Sequence, residues 1–255
     1  MKRRSALVAL VLLAAPLAAS GQGLAERITG GGDGAVRMSF PSREGVQICD
    51  DGIRLFGDRV FSRGPRWREG SCAPGPIEVE FLVRGAKVED VETLDGTDRR
   101  STGARDIGVV SAPEAARFLL ETARAEGVEN AILPALLAGV PEPWKAVMDL
   151  ATDRGARGKV RRTALFWLGQ EAAEAATEGL AEVASDEAED QAVRDAAVFA
   201  LSQRPSGEGV SALMEVARTA RDPKTRRSAF FWLAQSDDAR VLPFFREILR
   251  GPRGG

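Results

Sequence analysis

The side chains that could carry catalytic chemistry are few, because histidine is absent from all 255 residues. Without an imidazole the chain can form no Ser-His-Asp triad, no Cys-His pair, no HExxH zinc site and no histidine general base. Carboxylates and arginines remain, and either group could still act on a substrate. The composition therefore favours a protein that binds over one that reacts, and it predicts no catalytic residue, no metal site and no cofactor.

Acidic residues are the first candidates for acid–base work or metal binding. Asp50 and Asp51 stand next to Cys49, but two carboxylates fall short of the roughly six to eight oxygens that Ca²⁺ takes, so we interpret them as a turn. Paired carboxylates can also act as acid and base, and a longer acidic run follows. Because that run lies along expected helices and a loop, we interpret it as a solvated face; it consists of Glu171, Glu174, Glu178, Glu182, Glu187, Glu189 and Asp190.

Cys49 and Cys72 are the two cysteines of the chain. In an oxidising compartment an even pair is typical of one disulfide. It would close a loop of about two dozen residues and stabilise the fold by about 3 kcal/mol in the chain-entropy model. The alternatives are two free thiols or half of a metal site, and a zinc site would lack ligands with two thiolates and no histidine. We predict the disulfide.

Residues 1–20 have the three-part layout of a secretory signal peptide: a basic start (Lys2, Arg3, Arg4), an apolar run over residues 6–17, and small residues after it. The run is shorter than the about 20 apolar residues that span a bilayer. A buried N-terminal helix is the alternative. Removing the three basic residues leaves 32 basic against 37 acidic residues, a net charge of −5, which attracts neither nucleic acid nor an anionic membrane. We expect a periplasmic or secreted protein with no membrane span in the mature chain.

Two regions differ in the period of their apolar residues. Apolar and polar residues alternate first, as in Val36, Met38 and Phe40, which is typical of half-buried strands. From Ser111 the apolar period becomes helical. The sequence therefore predicts an α+β protein with these parts: a flexible linker over residues 21–34, a small disulfide-linked antiparallel β unit over residues 35–108, an α-solenoid over residues 111–250 and a disordered tail over residues 251–255.

Three helical segments align without gaps at spacings of 33 and 32 residues: 160–170, 193–203 and 225–235. Self-similarity at such a period is the mark of a solenoid. A small alanine lets neighbouring helices approach, and we expect the phenylalanines and leucines to lie on the face that stacks on the next pair. The equivalent positions are Arg161, Arg194 and Arg226; Ala164, Ala197 and Ala229; Phe166, Phe199 and Phe231; and Leu168, Leu201 and Leu233.

The segment over residues 160–169, VRRTALFWLG, resembles the first helix of the short bacterial repeats called PBS lyase HEAT-like repeats. The resemblance covers roughly residues 127–250, and the whole chain is similar to exported bacterial HEAT-repeat proteins of uncharacterised function. It implies a solenoid of HEAT-like helix pairs and a non-catalytic scaffold whose second helices line a concave surface for a protein partner. Two alternatives stay open: a bilin-lyase-like enzyme or enzyme subunit, and an envelope structural protein whose β unit binds a cell-surface polymer.

Trp167 and Trp232 share one repeat position. They could anchor a ligand, but we interpret them as packing between repeats. Doubled arginines at 161–162 and 226–227 could form a basic ridge, as some HEAT-like DNA glycosylases use. The negative net charge and the expected export argue against nucleic acid as a partner.

Reduction of the predicted disulfide should loosen the β unit and leave the helical signal nearly unchanged, because the cross-link is expected to lie within the β unit alone. Far-ultraviolet circular dichroism before and after reduction measures this. Loss of the helical signal together with reduction would contradict the division into two units.

Overall fold

The computed structural model describes residues 23–49, 52–55, 59–61, 71–94, 101–171, 173–204 and 207–250. The predicted signal peptide, the acidic turn at 50–51 and the predicted tail lie outside these residues. In the described part of the chain, no helix has both the length and the apolar character needed to cross a membrane.

The main sheet has the strand order β7-β6-β1-β8. Its strands are β1 (Gly34–Phe40), β6 (Ile77–Arg84), β7 (Lys87–Leu94) and β8 (Arg105–Val109). Strands β1, β6 and β7 pair in antiparallel fashion, whereas β8 runs parallel to β1. The expectation of an antiparallel β unit is therefore wrong at this edge. Period-2 alternation shows which face of a strand is buried, but it does not show the direction of the neighbouring strand.

A second, smaller sheet has the order β4-β3-β2-β5. It consists of β2 (Val46–Cys49), β3 (Gly52–Leu55), β4 (Arg59–Phe61) and β5 (Cys72–Ala73). Cys49 and Cys72 lie directly opposite each other in the β2–β5 register. Their Cα atoms are 4.1 Å apart and their sulfurs are bonded, so the predicted disulfide is confirmed. It joins the neighbouring strands β2 and β5 of this small sheet and leaves the main sheet unlinked.

A short helix, α1 (Leu24–Thr29), lies within the segment that was expected to be a flexible linker. Leu24 and Ile28 are one helical turn apart and are buried in the common core. Arg105 of β8 donates hydrogen bonds to the carbonyl oxygens of Arg27 and Ile28, at 2.6 and 2.8 Å. The linker expectation is wrong for these six residues. Burial of two apolar side chains against the sheet offsets the conformational entropy that is lost when this short helix forms.

Helix α2 (Ala112–Glu126) joins the sheet to the helical region. Ser111 caps its first turn by accepting a hydrogen bond from the Glu114 N–H. The Phe118 ring meets the Phe81 ring of β6 edge-on, with the ring centroids 5.6 Å apart. The buried residues of sheet and helices form one continuous hydrophobic cluster. The division at residues 108–111 stays a prediction.

The remaining helices form pairs in two layers, and each pair stacks on the next. After a single 3₁₀ turn, the first helices are α3 (Ile132–Leu137), α5 (Gly158–Gln170), α7 (Gln191–Ser202) and α9 (Pro223–Ala234). The second helices are α4 (Pro143–Thr152), α6 (Ala175–Ser185), α8 (Glu208–Thr219) and α10 (Val241–Arg250). Pro134 falls in the first turn of α3, where its missing N–H leaves no helical hydrogen bond unmade.

The repeated alanines and leucines are fully buried, as stacking requires: Ala164, Ala197, Ala229, Leu168, Leu201 and Leu233. The repeated phenylalanines differ. Phe166 is 38% exposed and Phe231 is 55% exposed, so the expectation that they lie inside the stacked face is wrong. Phe199 is half-buried, because Trp232 of the next pair covers its ring at a centroid distance of 4.9 Å. Ala200 stands at the position equivalent to Trp232 and offers Phe166 no such ring.

Helices α5 and α7 approach closely at Gly169. A Cβ atom at this position would lie 2.8 Å from the Ala200 carbonyl oxygen and 2.9 Å from its Cα atom. Backbone atoms cannot move aside as a flexible side chain can. The absence of a side chain at Gly169 therefore sets the separation of the two first helices.

We expect Gly169→Ala to lower the free energy of unfolding by about 1–3 kcal/mol, because the added methyl group forces α5 and α7 apart. Gly158→Ala in the same helix is the matched control, since its Cβ would meet only the end of the Arg162 side chain at 3.3 Å. That variant should be as stable as the wild type or slightly more stable. Urea denaturation of both variants measures the difference, and equal stabilities would contradict the close approach.

Candidate functional site

The repeated arginines lie beneath the surfaces that the helix pairs present. Arg161 is buried, and its Nε donates a hydrogen bond of 2.8 Å to the carbonyl oxygen of Ala151 near the end of α4. Both of its terminal nitrogens bind the carboxylate of Glu189, which precedes α7. One guanidinium on α5 thus contacts both neighbouring pairs: the end of α4 in the preceding pair and the loop before α7 in the following pair.

Arg194 repeats this arrangement with a longer ion pair. It donates to the Glu189 carbonyl oxygen at the end of the preceding loop and, at 3.2 Å, to the Thr225 hydroxyl of α9. Its guanidinium lies 3.8 Å from the Asp222 carboxylate. Asp222 in turn caps α9 by accepting a hydrogen bond of 2.8 Å from the Thr225 N–H. The repeated arginine therefore again reaches the first turn of the following first helix.

Arg226 keeps the contacts with the carbonyl oxygens that precede its own helix, but it makes no contact with a following first helix among the described residues. It donates to the carbonyl oxygens of Ala220 and Arg221, at 2.7 and 2.8 Å, at the end of α8. Cations near a helix C-terminus satisfy carbonyls that have no partner within the helix. Arg161 is buried and Arg226 is bound to this helix end, so a basic surface from the doubled arginines is left with Arg162 and Arg227, which are exposed.

Two members of the acidic run are buried, contrary to the expectation of a solvated face. Glu171 is 2% exposed and pairs with Arg43 at 2.8 Å, and Glu189 is 8% exposed and pairs with Arg161. Arg43 follows β1, so this ion pair ties the sheet region to the end of α5. The partners are far apart in the chain, and for that reason the run by itself carries no sign of the pairing.

Arg204 is a structural residue that sequence reasoning missed. Its side chain is fully buried and donates to the Ala173 carbonyl oxygen and the Thr177 hydroxyl, each at 2.8 Å. It also pairs with Glu208 at 2.7 Å. This guanidinium fixes the loop after α5 and the starts of α6 and α8. The repeat pattern does not single it out, because the equivalent positions hold Glu171 and Ser236.

An open groove of about 610 Å³ lies over the second helices α6 and α8. Its walls carry the carboxylates of Glu174, Glu178 and Glu208 and the guanidinium of Arg240. Arg240 is held in place, because it donates to the Ser211 hydroxyl at 2.9 Å and to the carboxylate of Asp238. The groove is therefore mainly acidic, and its shape rests on helices that Arg204 fixes from below.

Three carboxyl groups of the helix array have shifted pKa values, and they do not resemble catalytic acids. The hydrogen bonds from Arg161 lower the pKa of Glu189. The Thr225 N–H lowers the pKa of Asp222, and Arg240 lowers the pKa of Asp238 to about 2. General acids and bases work best with a pKa near the operating pH, and these three are moved away from it. Among the described residues, no group of three or more acidic or thiol side chains is placed to hold a metal ion.

Trp232 packs between pairs, against Phe199 as described above, which agrees with its interpretation as a packing residue. Trp167 is half-buried against the core, and the neighbouring Phe166 ring lies at a centroid distance of 5.0 Å. Neither indole lines the groove over α6 and α8.

Replacing Arg161 by leucine should lower the free energy of unfolding by about 3–5 kcal/mol, because it leaves the Glu189 carboxylate buried without its cation. Arg162→Leu changes the adjacent, exposed arginine and should cost less than about 0.5 kcal/mol. Urea denaturation compares the two. Equal losses in both variants would show that the buried pair has no special role.

The same pair should make stability depend on pH. Because the folded pKa of Glu189 lies below its ordinary value of 4.5, its contribution is complete above that value and is lost as the pH falls through the folded pKa. Glu189→Gln should therefore lose less stability than the wild type between pH 6 and pH 3. Parallel losses in the two proteins would contradict this assignment.

Comparison with known proteins agrees with the stacked pairs. Residues 145–229 match the family model for HEAT repeats. No curated protein matches the chain. The matched segment runs from α4 into α9 and includes every lining residue of the groove over α6 and α8 except Arg240. Residues 145–229 are thus similar to HEAT repeats, which are helical scaffolds of a kind that commonly mediates protein interactions.

Proposed function

We propose that the protein is an exported, non-catalytic scaffold that binds a protein partner through the groove over α6 and α8. The groove is the observation that carries this proposal. It is built on two helices of the HEAT-repeat array, and its walls carry Glu174, Glu178 and Glu208. Glu208 is already paired with Arg204. A partner segment that offers lysine or arginine side chains complements the carboxylates of Glu174 and Glu178.

The groove suits binding because its walls are already in place. Arg204 holds the start of α8 through Glu208, and Arg240 bridges the α9–α10 loop to Ser211 of α8. A surface that is ordered before the partner arrives loses little conformational entropy on binding.

Export is supported by two features. The first residues have the layout of a signal peptide, and Cys49 and Cys72 form a disulfide, which is typical of an oxidising compartment. We place the protein in the periplasm or outside the cell, and mass spectrometry of the exported chain should find a start directly after Ala19, Ser20 or Gly21.

The groove is tested by a photo-crosslinking residue in place of Ala181, which lines it. In cells that export the protein, this residue should capture a defined protein partner. Glu174→Lys together with Glu178→Lys should reduce the capture at least about tenfold, because the groove charge reverses.

Glu182→Lys is the matched control, because Glu182 is an exposed glutamate of the same helix that does not line the groove. It should leave the capture unchanged. The proposal fails if the control reduces the capture as much as the groove variants do, or if the purified protein hydrolyses substrates in a broad panel.

A further inference from the structure

The last helix pair leaves open the face that each earlier pair uses to hold its successor. Within the array, Phe199 receives Trp232, and Arg194 reaches Asp222 and Thr225 of α9. The described chain has no helix after α10. The equivalent residues of the last pair therefore show what a further pair would meet.

In the first-helix layer, two residues of the last pair lack the contacts that their equivalents make with the next pair. Phe231, the equivalent of Phe199, is 55% exposed. Arg226, the equivalent of Arg194, binds only the carbonyl oxygens at the end of α8, and no carboxylate of the described residues pairs with it. An aromatic contact and an ion pair are thus both incomplete at this end.

In the second-helix layer, we compare the residues of α10 with the equivalent residues of α8. The buried residues Val210 and Leu213 of α8 align with Val241 and Phe244 of α10. In this alignment Leu242 is equivalent to Ser211, and Leu249 is equivalent to Arg218. In α8 both polar residues contact the next pair, Ser211 through Arg240 and Arg218 through Glu247.

The last pair has leucines at these two positions, and both are exposed, Leu242 at 57% and Leu249 at 86%. Ile248 beside them is 38% exposed. Exposed apolar side chains that are grouped in this way indicate an interaction site.

The charges around this end face are mostly basic. Asp222, Asp238 and Glu247 are already paired with Arg194, Arg240 and Arg218, so Asp237 is the remaining carboxylate of the pair. A second copy of the same face would bring like charges together, which disfavours self-association. The basic side chains of α9 and α10 are Lys224, Arg226, Arg227, Arg246 and Arg250.

We infer that this end face, formed by Phe231, Leu242, Ile248 and Leu249, is a second docking surface. It binds an amphipathic helix of a partner protein that has a large apolar side and carboxylates at its flanks. The bound helix takes the place of the next pair, covering Phe231 as Trp232 covers Phe199 and placing a carboxylate near Arg226. The end face is separate from the groove over α6 and α8.

Two stapled helical peptides test this inference on the purified protein. They share an apolar side of tryptophan and leucine, and their flanking residues are glutamate in one and lysine in the other. Fluorescence anisotropy should show that the glutamate peptide binds at least about tenfold more tightly than the lysine peptide. Leu249→Glu and Phe231→Glu should each weaken its binding about tenfold or more.

Phe166→Glu is the matched control, because Phe166 holds the same repeat position, is exposed, and lies two pairs away from the end. It should leave the binding of the glutamate peptide unchanged, and so should Glu178→Lys in the groove. Four results would overturn the inference: no binding of either peptide, equal binding of both, an equal loss in Phe166→Glu, or sedimentation as a dimer that Leu249→Glu dissociates.

Discussion

The buried guanidinium at the start of the repeated first helices is the interaction on which the helix array depends. Arg161 joins the end of α4 to the loop before α7, and Arg194 makes the equivalent link to the first turn of α9. Removing an ion pair from water costs several kcal/mol per charge, so such a pair is stable only when each donor finds an acceptor. A register shift between pairs would separate the guanidinium from the carboxylate, and the contact therefore specifies the stacking as well as joining it.

This arrangement also explains why the second helices can present a defined binding surface. The arginines and the close approach at Gly169 hold the first helices, and Arg204 then positions α6 and α8 from the buried side. The exposed carboxylates of Glu174 and Glu178 are left available to a partner, because the structural ion pairs are taken by other glutamates: Glu171, Glu189 and Glu208. Members of one acidic run thus have different roles. The buried ones form structural ion pairs, and the exposed ones are available for binding.

The sheet region covers one end of the array, and at the other end no helix follows α10 among the described residues. Arg43 pairs with Glu171, and backbone hydrogen bonds of 2.9 Å join Pro41 to Gly139 and Arg43 to Leu137. Apolar residues at that end are covered by α2 and the main sheet. At the other end the same kind of apolar surface is exposed on α9 and α10. A partner bound at α9 and α10 would cover this end of the array, as the sheet region covers the other end.

The sequence by itself determined the repeated helix pairs, the buried alanine and leucine positions and the disulfide, because each depends on local periodicity or on a count of two cysteines. Tertiary structure alone decided the rest. The burial of Glu171 and Glu189 depends on arginines distant in the chain, and the parallel β8 and helix α1 depend on which sheet edge and which apolar surface are nearby. Phe166 and Phe199 have the same local sequence position, yet their exposure differs because the next pair supplies Ala200 to one and Trp232 to the other. A repeat pattern specifies what each residue offers to its neighbours, whereas the folded array specifies which neighbour is there.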